Sequence, residues 1–600
     1  MDANQNNQFQ STHMNLQPQK EQAPTEDIEN LITNAPESLT QFVSQPDVTS
    51  VVIRNSLLSD IEAQKHHVIH FGPKLGRDYR VIYVNYDEIT DIKNKIRTVD
   101  IDFMPFILTT LDQKNTFASE IAKIDHHDEN NLTGKGVLIA IIDTGIDYTK
   151  KAFRNEDGTT RIKYIWDQTI DQPKYSGMIF GTEYSEAQIN EALKSKNPFS
   201  TVPHKDNVGH GTFLASVAGS NEKGDYAGAA PDAEFIIVKL CKADNYFLNE
   251  FTVPPLQQNA FSSVDFMLGI EYVLQKAKKL KRPVAICISL GTNSGGHDGY
   301  SILEQYLAEV SSETGVAICS AAGNESVGKH HTQGRVVAEG QKETIEVKVE
   351  KDNPSFYINL WNNALDRLAV SVISPTGDTI EKVPAKPGTI YSTKFALEKS
   401  KVFIEYFFPL ERCSSKLTVI KIKDATPGIW TINIYGEAIF DGTFHAWLPI
   451  TGLVDKGVEF LAPSPNYTIT VPATASGAMT CGAYNDKNNS LYVDTSWGPT
   501  RTPVLSPDFT ALGVNVLGVF PDGYGTMSGT SVAAAVTAGV SALMLQWGIV
   551  EKNLSEMNTY LIRAVFISGC DRDVNTDYPN VQWGFGRLDI KKALDILNDL

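Results

Sequence analysis

Cysteine is scarce in this chain, and where it occurs it stands alone. The six residues Cys241, Cys287, Cys319, Cys413, Cys481 and Cys570 lie far apart, with no Cys-x-x-Cys pair. That spacing argues against a structural zinc site and offers no disulfide framework. Cys287 and Cys319 sit in apolar strand-like runs and are expected to be buried free thiols. Positive charge is also short. Against 71 Asp and Glu there are only 53 Lys and Arg, a formal net charge of −18, which argues against nonspecific binding to nucleic acid. No run approaches the roughly 18 apolar residues of a bilayer span, so no membrane span is expected. The start, Met1-Asp2-Ala3-Asn4-Gln5-Asn6-Asn7, lacks the basic residues and apolar stretch of a secretory leader. Internal repeats are absent.

What is present is punctuated by three short motifs. Asp143-Thr144-Gly145-Ile146-Asp147 follows the apolar run Val137 to Ile142. Gly209-His210-Gly211-Thr212 opens a helix-like stretch. Gly525-Thr526-Met527-Ser528-Gly529-Thr530-Ser531-Val532-Ala533 leads into an Ala-rich apolar helix. A serine hydroxyl attacks only when a base takes its proton, and that base needs a carboxylate to fix its tautomer. The order Asp, His, Ser is one of the few chain orders in which such a triad occurs. Asp147 and Ser528 compete for two of the roles, whereas His204 lacks the flanking glycines. The amide of Ser531, at a helix N-terminus, is placed to meet a developing negative charge.

A 600-residue chain should hold several folding units. Residues 1–45 are rich in Gln, Asn and acidic residues and are expected to lack a fixed fold. Between residues 46 and 110 the order strand, helix, strand, strand, helix, strand predicts a small ferredoxin-like domain. From 111 to 327 apolar strands alternate with helices, which implies an α/β unit with a parallel sheet covered on both faces. Its functional groups should gather at the carboxyl ends of the strands. Residues 328–462 read instead as short strands separated by turn signals such as Ser374-Pro375-Thr376-Gly377-Asp378, an all-β insert of sandwich or jelly-roll type. The α/β pattern then resumes over 463–600.

These motifs resemble those of the subtilisin-like serine proteases. The resemblance implies Asp143, His210 and Ser531 as the catalytic triad, choosing Asp143 over Asp147. It implies Asn324, in Ala321-Ala322-Gly323-Asn324, as the side-chain donor of the oxyanion hole. Ser289-Leu290-Gly291 would pair with an extended substrate, and Ala321, Ala322 and Gly323 would form the facing wall. Glu325 would line the pocket floor and favour a cation, or else be a surface carboxylate. The domain over 46–110 would be an inhibitory prodomain, cut between about Leu108 and Gln113, with Met104 to Thr110 lying in the cleft. Two positions depart from the pattern: Ala535 and Val536 replace the usual Pro and His, and Ala511-Leu512-Gly513 replaces Ala-Pro-Gly. The calcium loop of relatives maps near Gly219 to Tyr226, where Lys223 argues against a calcium ion. Calcium stays possible, and no other metal or cofactor is implied.

A narrower resemblance rests on Phe153-Arg154-Asn155-Glu156-Asp157-Gly158, Ile165-Trp166-Asp167-Gln168, Phe444-His445-Ala446-Trp447-Leu448-Pro449 and Ser531-Val532-Ala533-Ala534-Ala535. It is to the Csp-type spore germination proteases. This implies a spore protein whose partners are its own prodomain and a protein substrate, the precursor of a cortex-lytic enzyme. Two alternatives stand beside it: a degradative subtilase of broad specificity, and a noncatalytic germination sensor on the same fold.

Overall fold

The computed structural model describes residues 32–57, 69–95, 103–114, 132–170, 178–223, 226–351, 354–410, 413–502 and 504–598. Its centre is a nine-stranded sheet. Leu138–Asp143 lies in the middle, parallel to Val284–Ile288 on one side and Glu234–Lys239 on the other. Val316–Ala321 and Met479–Asn485 extend the parallel run. Every residue of Leu138–Asp143, Val284–Ile288 and Val316–Ala321 is buried. Strands covered on both faces have no polar side to show, which is why the sequence gives unbroken apolar runs there.

Helices His210–Gly219 and Thr530–Leu545 pack on one face of this sheet, and Ser263–Leu280 on the other. Thr530–Leu545 is buried along its whole length, as expected of a helix apolar all round. By length and composition Thr530–Val550 would suffice to cross a bilayer, contrary to expectation. Its apolar window is 89% buried inside the protein, so here it is the core helix.

The insert forms two antiparallel sheets. One has six strands and includes Phe356–Asn363 and Thr443–Trp447; the other has five and includes Lys342–Val349 and Gly428–Ala438. Both contribute to one apolar core, with Val347, Val370 and Ile432 from one sheet and Ile358, Ile404 and Ile420 from the other. The insert is seated on the α/β unit by a stacked ring pair, His297 of that unit on Trp447 of the insert at 4.2 Å. Within the insert, His331 Nε2 lies 3.2 Å from His445 Nδ1.

Near the N-terminus, Val48–Arg54, His70–Leu75 and Tyr79–Asn85 form a three-stranded antiparallel sheet with Tyr79–Asn85 in the centre. The first expected helix would fall between the first two strands, where residues 58–68 lie outside the described residues; the second spans Tyr86–Lys95. Among the described residues this sheet gains no fourth strand, contrary to the ferredoxin-like pattern. Ile107–Thr110, from the segment Met104 to Thr110 that the resemblance places in the cleft, pairs instead with Phe261–Ser262 on one side and Leu290–Gly291 on the other. Its apolar side chains find their burial in the cleft of the α/β unit, where Leu108 is 0% exposed.

Candidate active site

Asp143 is the last residue of its strand, so its side chain emerges at the carboxyl edge of the sheet. Its Oδ1 and Oδ2 lie 2.8 and 2.9 Å from His210 Nδ1. The Thr144 amide donates to Oδ1 at 2.7 Å and the Ser289 hydroxyl to Oδ2 at 2.6 Å. His210 is the first residue of its helix. The carboxylate of Asp206 caps that helix, accepting from the amides of Gly209 and Thr212 and from the Thr212 hydroxyl. Gly211 permits the approach to Asp143: a Cβ there would run into the Gly145 carbonyl.

Burial works against charge on Asp143, yet the charge and hydrogen bond of His210, with Ser289 and Thr144, hold its carboxyl below the ordinary value. Burial likewise disfavours the imidazolium of His210. The charge and hydrogen bond of Asp143, aided by Asp112 and Asp206, outweigh it and raise His210 above 6.5. With Nδ1 on the carboxylate, Nε2 is the nitrogen left to act as the base.

Ser531 is the second residue of Thr530–Leu545. Its Oγ donates to the Ser289 carbonyl at 3.1 Å, and His210 Nε2 has no hydrogen-bond partner among the described residues. Asn324 follows the strand end at Ala321 and is fixed by Thr530, whose amide and hydroxyl both donate to its Oδ1 at 3.1 Å. That leaves its Nδ2 free to donate outward, and it does so to the Leu111 carbonyl at 2.9 Å.

The segment in the cleft is thereby in register. Thr109 lies opposite Gly291 and Thr110 opposite Leu290, so Leu111 comes opposite Ser289 with its carbonyl at the Asn324 donor. Beyond the site the chain continues, with Gln113 opposite Ser528 and Lys114 opposite Met527. Phe261–Ser262 flanks the strand on its other edge. Ile107 packs with Phe247, Ala260, Ile450 and Leu453. Gln257 donates to the Gly452 carbonyl at 2.9 Å, joining the two loops that cover this side.

The structure thus brings Asp143, His210, Ser531, Asn324 and Ser289 to Gly291 together. Ala321 and Ala322 are buried, and Gly323 is tied to Thr530 by its amide at 3.1 Å. They form the wall that delivers Asn324. Ser289 has a role beyond its backbone, since its hydroxyl holds Asp143. Asp147 serves its own turn, accepting from Thr149, and Ser528 donates its hydroxyl toward Asn515. His204 is a buried structural residue between Asp167 (2.6 Å) and the Ile146 amide (3.1 Å).

Glu325 corrects both of its expected readings. It is 2% exposed and bonded to His330 Nδ1 (2.6 Å), Asn293 Nδ2 and the Thr451 amide. The insert folds back over it, so it fastens the insert rather than lining a pocket or facing water. No cluster of three or more His, Cys, Asp or Glu suited to a metal occurs among the described residues. Residues 224 and 225 of the suspected calcium loop lie outside them. Asp112 went unnoticed in the sequence. Its Oδ2 accepts from the Ser531 amide at 2.9 Å and the Val532 amide at 3.3 Å, and its Oδ1 accepts from Asn324 Nδ2. No local pattern marks it, because the cleft register alone puts it there.

Fold and site together define a subtilisin-type serine endopeptidase. The family model described as "Subtilase family" matches residues 134–375 and 460–586, and the chain belongs to that family. The solved structure of the Clostridium perfringens CspB protease is 31% identical, with a TM-score of 0.71. That match covers 79% of this chain and 95% of the other. The chain is also 23% identical over 527 residues to the PI-type proteinase of Lactococcus lactis subsp. cremoris, across 77% of this chain and 26% of that protein. The C5a peptidase of Streptococcus pyogenes is 22% identical over 504 residues, across 77% and 40%. The chain therefore spans about a quarter to two fifths of these curated relatives.

Proposed function

We propose that this chain is a protease precursor that first cuts itself between Leu111 and Asp112. It then activates the zymogen of a cortex-lytic enzyme by limited proteolysis in the germinating spore. The observation that carries this reading is the register of Ile107–Thr110 in the cleft. An extended segment lies between two strands, and the carbonyl of Leu111 sits on Asn324 Nδ2 beside Ser531. In the cut, Ser531 Oγ bonds to the Leu111 carbonyl carbon and its proton passes to His210 Nε2. The Leu111–Asp112 bond breaks, and His210 returns the proton to the departing Asp112 nitrogen. Water then hydrolyses the acyl-enzyme by the same route.

The Gln257 and Gly452 loops close over one side of the strand in the cleft, a restriction that suits limited cleavage. The resemblance to the Csp-type proteases supplies the zymogen and the spore. The test mixes processed protein with a candidate cortex-lytic zymogen and, separately, with unfolded casein. One zymogen fragment that gains peptidoglycan hydrolysis supports the reading. Rapid loss of casein with an untouched zymogen overturns it in favour of a degradative enzyme. Failure to cut either, despite fluorophosphonate labelling of Ser531, rules out direct activation of that zymogen.

A further inference from the structure

The oxyanion hole is built from two donors, Asn324 Nδ2 and the Ser531 amide. They are divided between two acceptors. Asn324 reaches the Leu111 carbonyl, as a hole donor should, but also the Asp112 carboxylate. The Ser531 amide goes to Asp112 Oδ2 at 2.9 Å. Asp112 reaches this place because position 529 is glycine: any Cβ there would collide with its carboxylate. The helix end that should receive the charge developing on the Leu111 oxygen already holds a full negative charge. The nucleophile is turned away as well, with Ser531 Oγ on the Ser289 carbonyl and His210 Nε2 unpartnered among the described residues.

We propose that the Asp112 side chain is a built-in competitor for the oxyanion hole, keeping the Leu111–Asp112 bond beside the nucleophile but uncut until its carboxylate leaves the Ser531 amide. The inference rests on the self-cutting reading above and deepens it. Asp112 is then both the residue that departs with the new amino terminus and the residue that sets how fast it departs. The tetrahedral oxyanion needs the Ser531 N–H, and it obtains that donor only by displacing a carboxylate bound by two amides and a side-chain amide. The same competition would slow any substrate carrying Asp immediately after the cut.

The test follows self-cutting of the full chain at pH 8 in wild type, Asp112→Ala and Asp112→Asn, with Ser531→Ala as the uncut control. New amino termini are sequenced. One oxyanion donor is worth about 10²–10³ in rate, so Asp112→Ala should cut the same bond between about tenfold and 10³-fold faster, with Asp112→Asn in between. Cutting at Leu111–Asp112 at the wild-type rate or slower overturns the competition while leaving the self-cutting reading intact. A cut at another bond overturns the register, and with it both. Should Asp112→Ala fail to fold, processed enzyme is given the peptide Ile-Leu-Thr-Thr-Leu-Asp-Gln and its counterpart with Ala for Asp. A lower kcat at similar KM for the Asp peptide supports the proposal, and equal kcat values overturn it.

Discussion

Asp143 and Asp112 are both buried, and both raise the proton affinity of His210, yet the two regions that present them hold charge in opposite ways. Burial pushes each carboxyl upward. Around Asp143 the imidazole, the Ser289 hydroxyl and the Thr144 amide more than offset it, and the carboxyl ends below its ordinary value. Around Asp112 burial prevails over the His210 charge, Asn324 and Ser531, and the carboxyl is pushed up to about 6. Asp143 stands at the end of a central strand whose neighbours cannot move without disturbing the sheet. Asp112 lies between two short strands, Ile107–Thr110 and Gln113–Lys114. A carboxylate meant to stay is given partners that lower its pKa. One that must leave is held by groups that have another use.

The comparison can be broken most severely at the nucleophile that both regions serve. Ser531→Ala should lower turnover by about 10⁶, the loss seen when subtilisin loses its serine, and should stop self-cutting with the fold intact. Near-normal cleavage, read by gel and peptide hydrolysis, would remove Ser531 from the mechanism. Asp143→Asn should cost about 10⁴ in kcat, because an amide no longer holds the correct tautomer of His210. Asp112 remains near His210 in the precursor of that variant. If Asp143→Asn precursor self-cuts near the wild-type rate, then Asp143 is not the indispensable carboxylate. Asn324→Ala should still label at Ser531 while turning over about 10²–10³-fold more slowly, and unchanged turnover would take Asn324 out of the oxyanion hole.

How far this contrast can be read without coordinates depends on distance along the chain. Asp143, His210, Ser531 and Asn324 stand in short motifs because each needs a strand end or a helix start beside it, and such features are local. The parallel sheet is legible for the same reason, since short apolar runs such as Leu138 to Ile142 suit strands covered on both faces. Asp206 had a signal too, an acidic residue just ahead of a helix start. Asp112 had none. Its partner Ser531 lies 419 residues away, and only pairing with Leu290–Gly291 brings them together. Strand order alone would give Ile107–Thr110 to the N-terminal sheet, because an apolar run does not say which sheet receives it; the family resemblance, not a local pattern, points it to the cleft. Glu325 is misplaced because its partners His330 and Thr451 belong to the edges of an insert whose docking no local pattern announces.

The smallest effect concerns pH, and it separates motion from protonation as the way Asp112 is released. His210 must be neutral to act as base, and its pKa lies above 6.5, so self-cutting falls as pH drops through that value. Asp112 titrates at about 6. Acid that neutralises it and frees the Ser531 amide also favours the imidazolium, because the proton affinity of His210 is raised as well. Tyr492, also close to Asp112, stays neutral because burial raises its phenol. Lowering the pH thus works on the competitor and on the base in opposite senses, and displacement of the charged side chain at higher pH leaves the base neutral. The consequence is measurable as a ratio. At pH 8 the Asp112→Ala precursor should outpace wild type most. The advantage should shrink toward unity below about pH 6, as the wild-type carboxyl loses the charge that makes it a competitor. Time courses of self-cutting for the two chains from pH 5 to 8.5 give the ratio directly. A ratio that stays constant across that range would mean that Asp112 acts through its shape and not its charge.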